Sequence, residues 1–269
     1  MNIEKETEKS ILNKITSKFI LKKVFAVLSK GSMLKILKYN KHFQEMIGIK
    51  LQDFKDYSEI IELEIIPVSN KLGKFINISN DNKEYYHIYY NDEQQERNVK
   101  TFNGDDDNDE DEEEENEEEK EKIKKIRITI DTEINNFEKL FENCKSIESI
   151  YFKRFFRSDI TNMRSMFWEC ESLKEINLDK FKTNEVTNMS WMFYGCKSLE
   201  KADISNFAFN KTEKMVGMFW GCKALKNVKM PVFNNDNKTD MKCMFSECSE
   251  ELKEKIKNGN YNVSNDAFE

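Results

Sequence analysis

Along the second half of the chain the apolar positions keep two rhythms in alternation. In "SLKEINL" Leu173, Ile176 and Leu178 follow an L-x-x-I-x-L spacing, and the last two share one face of an extended strand. In "NMRSMFWEC" Met163, Met166, Phe167 and Cys170 stand at i, i+3, i+4 and i+7, the spacing of a helical stripe. Thr161 and Thr187 precede two such stripes at N-cap positions. The expected unit is therefore a short strand, a loop and about two helical turns.

The unit recurs at one fixed interval, twenty-six positions. Cys144, Cys170, Cys196, Cys222 and Cys248 keep it, and so do Phe141, Phe167, Phe193, Phe219 and Phe245. Met163, Met189, Met215 and Met241 keep the same interval. A unit this short cannot bury both its faces, so neighbouring units must stack, with the methionines, phenylalanines and cysteines forming a shared inner ladder. Free cysteine suits that place as a small buried hydrophobe. The alternative for the cysteines is a metal site or a ladder of disulfides. Zinc sites use closely spaced pairs or nearby histidines, whereas the closest pair here is Cys243 and Cys248, and His42 and His87 lie outside the repeats.

The L-x-x-I-x-L strand resembles the leucine-rich repeat. More narrowly, "NMRSMFWECESL", "NMSWMFYGCKSL" and "KMVGMFWGCKAL" are similar to the repeats of the BspA-like leucine-rich repeat family. The two end units depart from the pattern: "KLFENCKSI" opens the array, and "CMFSECSEEL" runs into the charged "KEKIKNGN", as capping units do. The resemblance implies an α/β fold, a solenoid with parallel strands and short helices, used for binding proteins or surfaces and not for catalysis. A small helical segment and a short β-sheet precede it. The expected organisation is a helical segment over 1–52, a β subdomain over 53–103, an acidic loop over 104–121, the solenoid over 122–257 and a tail over 258–269.

Two faces of such a solenoid are candidates for partner binding. Trp168, Tyr194 and Trp220 each follow a ladder phenylalanine, which turns them about 140° around a helix, onto an outer convex side. An exposed aromatic row is what a binding hot spot needs; covering neighbouring loops is the structural alternative. The outward strand positions read Ser149, Glu175, Lys201, Asn227 in one column and Tyr151, Asn177, Asp203, Lys229 in the next. Their mixed signs do not make a phosphate-tracking stripe, so a protein partner is expected and nucleic acid is not.

Before the repeats, Leu21, Val24, Phe25 and Leu28 form a helical stripe, "SKGS" breaks it, and Met33, Leu34 and Leu37 begin a second. This stretch resembles an F-box, with "ILKKVFAVL" and "MLKILKYNKHF" as the matching segments, although an opening Leu-Pro is missing and Asn40 and Phe43 replace the family's Cys and Trp. The resemblance implies docking of Leu21, Val24, Phe25 and Leu28 on a Skp-type adaptor of a ubiquitin ligase, with the solenoid recruiting a substrate. A generic helical cap carries the same pattern. "EIIELEIIPV", "KFINI" and "EYYHIYY" read as three strands of a small sheet, and "KIRITI" as a fourth that pairs with them or starts the solenoid.

Charge changes this picture in one place. Asp105 to Glu119 holds thirteen acidic side chains in fifteen positions, and without them the formal net charge of −7 becomes mildly basic. Such a run repels itself and buries nothing, so a solvated linker is expected. No nucleophile with its base, phosphate-cradling glycine loop or paired-carboxylate cleft is recognisable, and with two histidines, His42 and His87, no enzyme activity and no cofactor are expected. The charged N-terminus and the lack of a long apolar run predict an intracellular, cytoplasmic monomer without a membrane span. The alternative is a cell-surface or secreted adhesin.

Overall fold

The computed structural model describes Gln44, Glu45, Gly48 and residues 60–68, 73–91, 93, 123–233 and 239–269. The chain divides into two compact units, Met1–Glu59 and Ile60–Glu269. The expected helical stripe of Leu21, Val24, Phe25 and Leu28 lies outside the described residues, as does the acidic run. The second unit holds the sheet and the repeats.

Strict alternation builds its first three strands. In β1 (Ile61–Pro67) Ile61, Leu63 and Ile65 point inward while Glu62 and Glu64 point out. β2 (Tyr86–Tyr90) buries Tyr86, Ile88 and Tyr90, and β3 (Ile126–Ile130) buries Ile126, Ile128 and Ile130. β3 pairs antiparallel with both, so Tyr90 and Ile126 face each other where the chain leaves β2 and returns. "KFINI" forms no strand. Its Phe75, Ile76 and Ile78 are buried all the same, in an extended strap.

β1 also pairs antiparallel with β4 (Ile147–Arg154), the strand of the first repeat, and β4 pairs parallel with β5 (Glu175–Asn177). The sheet order is β2-β3-β1-β4-β5. The region read as a separate β subdomain thus shares one sheet with the repeats. β6 (Lys201–Asp203) and β7 (Asn227–Lys229) form a second, parallel pair.

The expected parallel strands are present, but the expected short helices are not. Residues 138–143, 164–169, 190–195 and 216–221 are successive tight turns instead. The N–H groups of even-numbered positions bond within the coil, as Met166 to the Met163 carbonyl at 3.3 Å and Trp168 to that of Ser165 at 3.1 Å. Those of odd-numbered positions donate to the next coil: Met163 to Asn188, Ser165 to Ser190, Phe167 to Met192 and Glu169 to Tyr194, at 2.7–3.0 Å. A helix spends every N–H on its own i−4 carbonyl and leaves none for a neighbour. Two left-handed residues per coil allow the alternation, for example Ser165 and Glu169 at φ +53° and +52° and Gly195 at +67°. The i, i+3, i+4, i+7 stripe survives because these tight turns keep the same residues inward.

Asparagine or aspartate, not threonine, starts four of the five turns, and Lys214 stands at the position in the fourth coil. Asn136, Asn162, Asn188 and Asp240 accept, through a side-chain oxygen, the N–H two residues on, and successive coils meet here in parallel bridges. Thr187, read as an N-cap, instead donates its hydroxyl to the Thr161 carbonyl at 3.3 Å.

Inside, like sits above like. Phe141, Phe167, Phe193, Phe219 and Phe245 stack face to face at 5.3, 5.2, 5.4 and 5.7 Å between centroids, and Phe268 of the C-terminal segment continues the column at 5.8 Å. The buried thiols of Cys170, Cys196, Cys222 and Cys248 donate to the carbonyls of Phe141, Phe167, Phe193 and Phe219 of the preceding coil at 3.0–3.1 Å. They tie coils together as well as filling space.

Both ends are closed. Asn77 of the strap donates its N–H to the Leu140 carbonyl and its amide to those of Lys139 and Glu142. At the other end Cys243 and Phe245 donate to Asp266 and Ala267. The helix α1 (Glu250–Asn258), capped by Ser249, buries Leu252 and Ile256. The segment read as a tail, 258–269, is therefore built into the stack.

Candidate functional site: the aromatic turn face

The turns that replace the helices carry the predicted aromatics. Trp168, Tyr194 and Trp220 do share one column, but they are half-buried and not a freely exposed row. Trp168 and Tyr194 lie face to face at 4.1 Å with planes 16° apart, and Trp220 follows Tyr194 at 5.9 Å, tilted by 53°. Stacking along the column covers one face of Trp168 and one of Tyr194. An aromatic on an isolated helix would stand clear; parallel coils one period apart bring equivalent rings into contact.

Sequence reading missed Trp191, which joins the same patch. It sits at φ +56° and meets Trp168 edge to face at 6.0 Å. Arg164 lies 4.7 Å above its ring and pairs with Glu138 at 2.7 Å. Gly217 gives it room, because a Cβ there would come within 2.6 Å of the Trp191 Cδ1. The available signal was the interval itself: Trp191 and Gly217 stand at the same place in successive repeats, a bulky residue over a compensating small one.

Charge withdraws from the middle of this face. The first coil presents Glu138, Lys139 and Glu142, and the fifth presents Lys242 and Glu247. Between them the third and fourth carry the half-buried Trp191, Tyr194, Val216 and Trp220 over buried Ser190, Gly195, Gly217 and Gly221, and Arg164 of the second coil borders them at the Trp191 ring. Two polar atoms at one end of the column, Trp220 Nε1 and the Ser246 hydroxyl, are buried with no hydrogen-bond partner. The result is a half-buried, largely apolar aromatic surface bordered by charged residues of the neighbouring coils.

The strand-face residues lie where their columns predict except Ser149, which is buried where β1 pairs with β4, and several are engaged with each other. Tyr151 donates to Glu175 at 3.0 Å, and Lys153 lies 5.3 Å above the Tyr151 ring. Asn177 accepts the Phe152 N–H at 2.5 Å. Lys229 pairs with Asp203 at 3.1 Å, while Lys201 is exposed. Opposite charges recur one period apart elsewhere: Glu171 lies between Lys145 at 2.9 Å and Lys197 at 3.3 Å, and Glu148 meets Lys174 at 2.7 Å. Hydrogen bonding from Lys145, then Lys197, holds the Glu171 carboxyl below its ordinary range. Such solvent-exposed pairs add only weakly to coil register.

The remaining polar groups of interest are structural. Arg157, 2% exposed, donates to the Asp131 and Ile134 carbonyls and, bidentately, to Asp159. His87 on β2 lies 3.3 Å from Asp131. Among the described residues no three His, Cys, Asp or Glu side chains converge as a metal site, and no helix is long and apolar enough to cross a membrane. All six cysteines are free thiols, and Cys243 alone is not buried.

Residues 135–259 match a family model described as a Mycoplasma protein of unknown function, DUF285. The chain is similar to that family over the stacked coils and their helical end. No curated protein and no solved structure matches the chain.

Proposed function

We propose that the chain is a leucine-rich-repeat solenoid of the BspA-like type that binds a protein partner and performs no catalysis. The observation that carries this reading is the turn face of the third and fourth coils, where Trp191, Tyr194, Val216 and Trp220 form an uncharged patch inside a charged rim. The match of residues 135–259 to a family defined by these repeats supports the architecture. Cross-linking of the tagged full chain in cells, followed by mass spectrometry, identifies the partner. With that partner purified, Val216→Lys places a charge in the patch without removing a ring. Binding should weaken tenfold or more while the thermal melt is unchanged; full affinity in a folded variant rejects the patch.

Within this reading residues 1–52 are the adaptor-docking segment. Phe25→Asp should abolish capture of a Skp-type protein, and recovery of no ligase subunit by the unaltered chain removes the ubiquitin-ligase role. The resemblance to BspA-like repeats favours a second reading, an adhesin displayed on the cell surface. Protease treatment of intact cells separates the two, since only a displayed chain is cleaved.

A further inference from the structure

The two sides of the coil stack are not joined equally. On the turn side the second and third coils are zipped by four bonds, from Met163, Ser165, Phe167 and Glu169. Their phenylalanines Phe167 and Phe193 stand 5.2 Å apart, as close as any neighbours in that column. On the strand side of the same junction β5 and β6 form no ladder, although β4 pairs with β5 and β6 with β7. Among the described residues no strand pairing joins Lys174–Asn177 to Glu200–Asp203, and what acts across the gap is the attraction of the Glu200 carboxylate for Lys174. The gap is bracketed by the Ser198 N–H to the Glu171 carbonyl at 3.2 Å and by the Asn206 amide, which reaches the Leu178, Asp179 and Phe181 carbonyls at 3.2, 2.8 and 3.5 Å.

A second aromatic column opens at the same place. Phe155 and Phe181 of the first and second coils stack at 4.2 Å, whereas Phe181 and Phe207 of the second and third lie 6.1 Å apart. The inward strand position offers a cause. Ile150, Ile176 and Val228 occupy it in the other coils, but the third coil has Ala202. Removing those methyl groups removes the contacts that would draw the two strands together.

We propose that the β5–β6 seam is a flexure built into the fold, at which the strand face changes curvature while the turn-side ladder acts as its pivot. The Ile204 N–H points to β7, reaching the Lys229 carbonyl at 2.7 Å, so the preceding Asp203 N–H points into the seam. Lys229, one period on, lies in the β6–β7 ladder.

Spin labels test the motion in the full chain, with Cys243→Ser as background because the other thiols are buried. One pair, Glu148→Cys with Lys226→Cys, spans the seam on the strand side; the other, Asn143→Cys with Glu247→Cys, spans the same junction on the turn side. The strand-side distance distribution should be at least twice as wide. The Asp203 amide should exchange with solvent at least tenfold faster than that of Lys229, and Ala202→Val should reduce both differences. Equal widths and equal exchange overturn the proposal. If Ala202→Val fails to fold, the two comparisons within the unaltered chain decide it.

Discussion

The thiol ladder makes the chain sensitive to alkali in a way that can be calculated. Burial raises the Cys144, Cys170, Cys196 and Cys222 thiols well above their ordinary value and takes Cys248 up to about 12. In the unfolded chain the same thiols ionise near pH 8.5. A group whose folded pKa is raised contributes stability that is complete below its unfolded pKa and is lost as pH rises toward its folded one. Here that window opens near pH 8.5, and for Cys248 it closes near 12. Within it the unfolded chain releases five protons that the folded chain keeps, so stability falls by about 1.4 kcal/mol per thiol per pH unit. For five thiols the slope is roughly 7 kcal/mol per unit, comparable to the whole stability of an ordinary domain at about 5–15 kcal/mol. It depends only on the folded values lying above the window. Urea titrations between pH 7 and 10.5, under a phosphine reductant, measure it. The midpoint should collapse above pH 9, and Cys196→Ala should lower the slope by one-fifth whatever it does to the stability at pH 7. Loss of less than about 2 kcal/mol by pH 10 refutes the reasoning, because thiols that ionise in place are not the buried donors described.

Three further outcomes test other parts of the structure. Gly217→Ala strains a φ of +57° and drives a methyl into Trp191, so it should cost about 2 kcal/mol in urea unfolding and alter tryptophan fluorescence. Asn77→Ala leaves the Lys139 and Glu142 carbonyls without their side-chain cap. It should cost about 1–2 kcal/mol and speed exchange at the N-terminal end of the stack more than at its centre. The Arg157 guanidinium beside Asp159 holds that carboxyl below its ordinary range. A depressed carboxylate stabilises above its unfolded pKa, near 3.9, and the gain is lost as pH falls through the folded value. Asp159→Asn should therefore lower stability at pH 7 by about 1 kcal/mol, discounted for the exposure of Asp159, and flatten the acid limb of unfolding below pH 4.

Much of the interior was readable from spacing. A single interval held by Phe167, Cys170 and Met163 with their equivalents requires like side chains to meet in a common core, and each is buried where the interval places it. The same interval explains the ion pairs of Glu171 and Glu148 with lysines one period away. Element type was less readable, since i, i+3, i+4, i+7 is satisfied equally by a helix and by tight turns that keep Met163, Met166, Phe167 and Cys170 inward. Local pattern records which side a residue faces, not where its N–H finds an acceptor. The candidate site was half-legible for the same reason: the column of Trp168, Tyr194 and Trp220 is real, but its stacking, and the part taken by Trp191, depend on the neighbouring coil.

What the sequence determined alone is therefore the period, the inward set and the stacking they demand, because burying apolar surface in a short repeat leaves no other arrangement. Only the tertiary structure decided that the Ser165 and Phe167 amides serve the next coil, that "KFINI" becomes a strap across the first one, and that Phe268 closes the last. Each of these depends on a group meeting a partner distant in sequence. Neither hydropathy nor composition encodes the direction in which a carbonyl points.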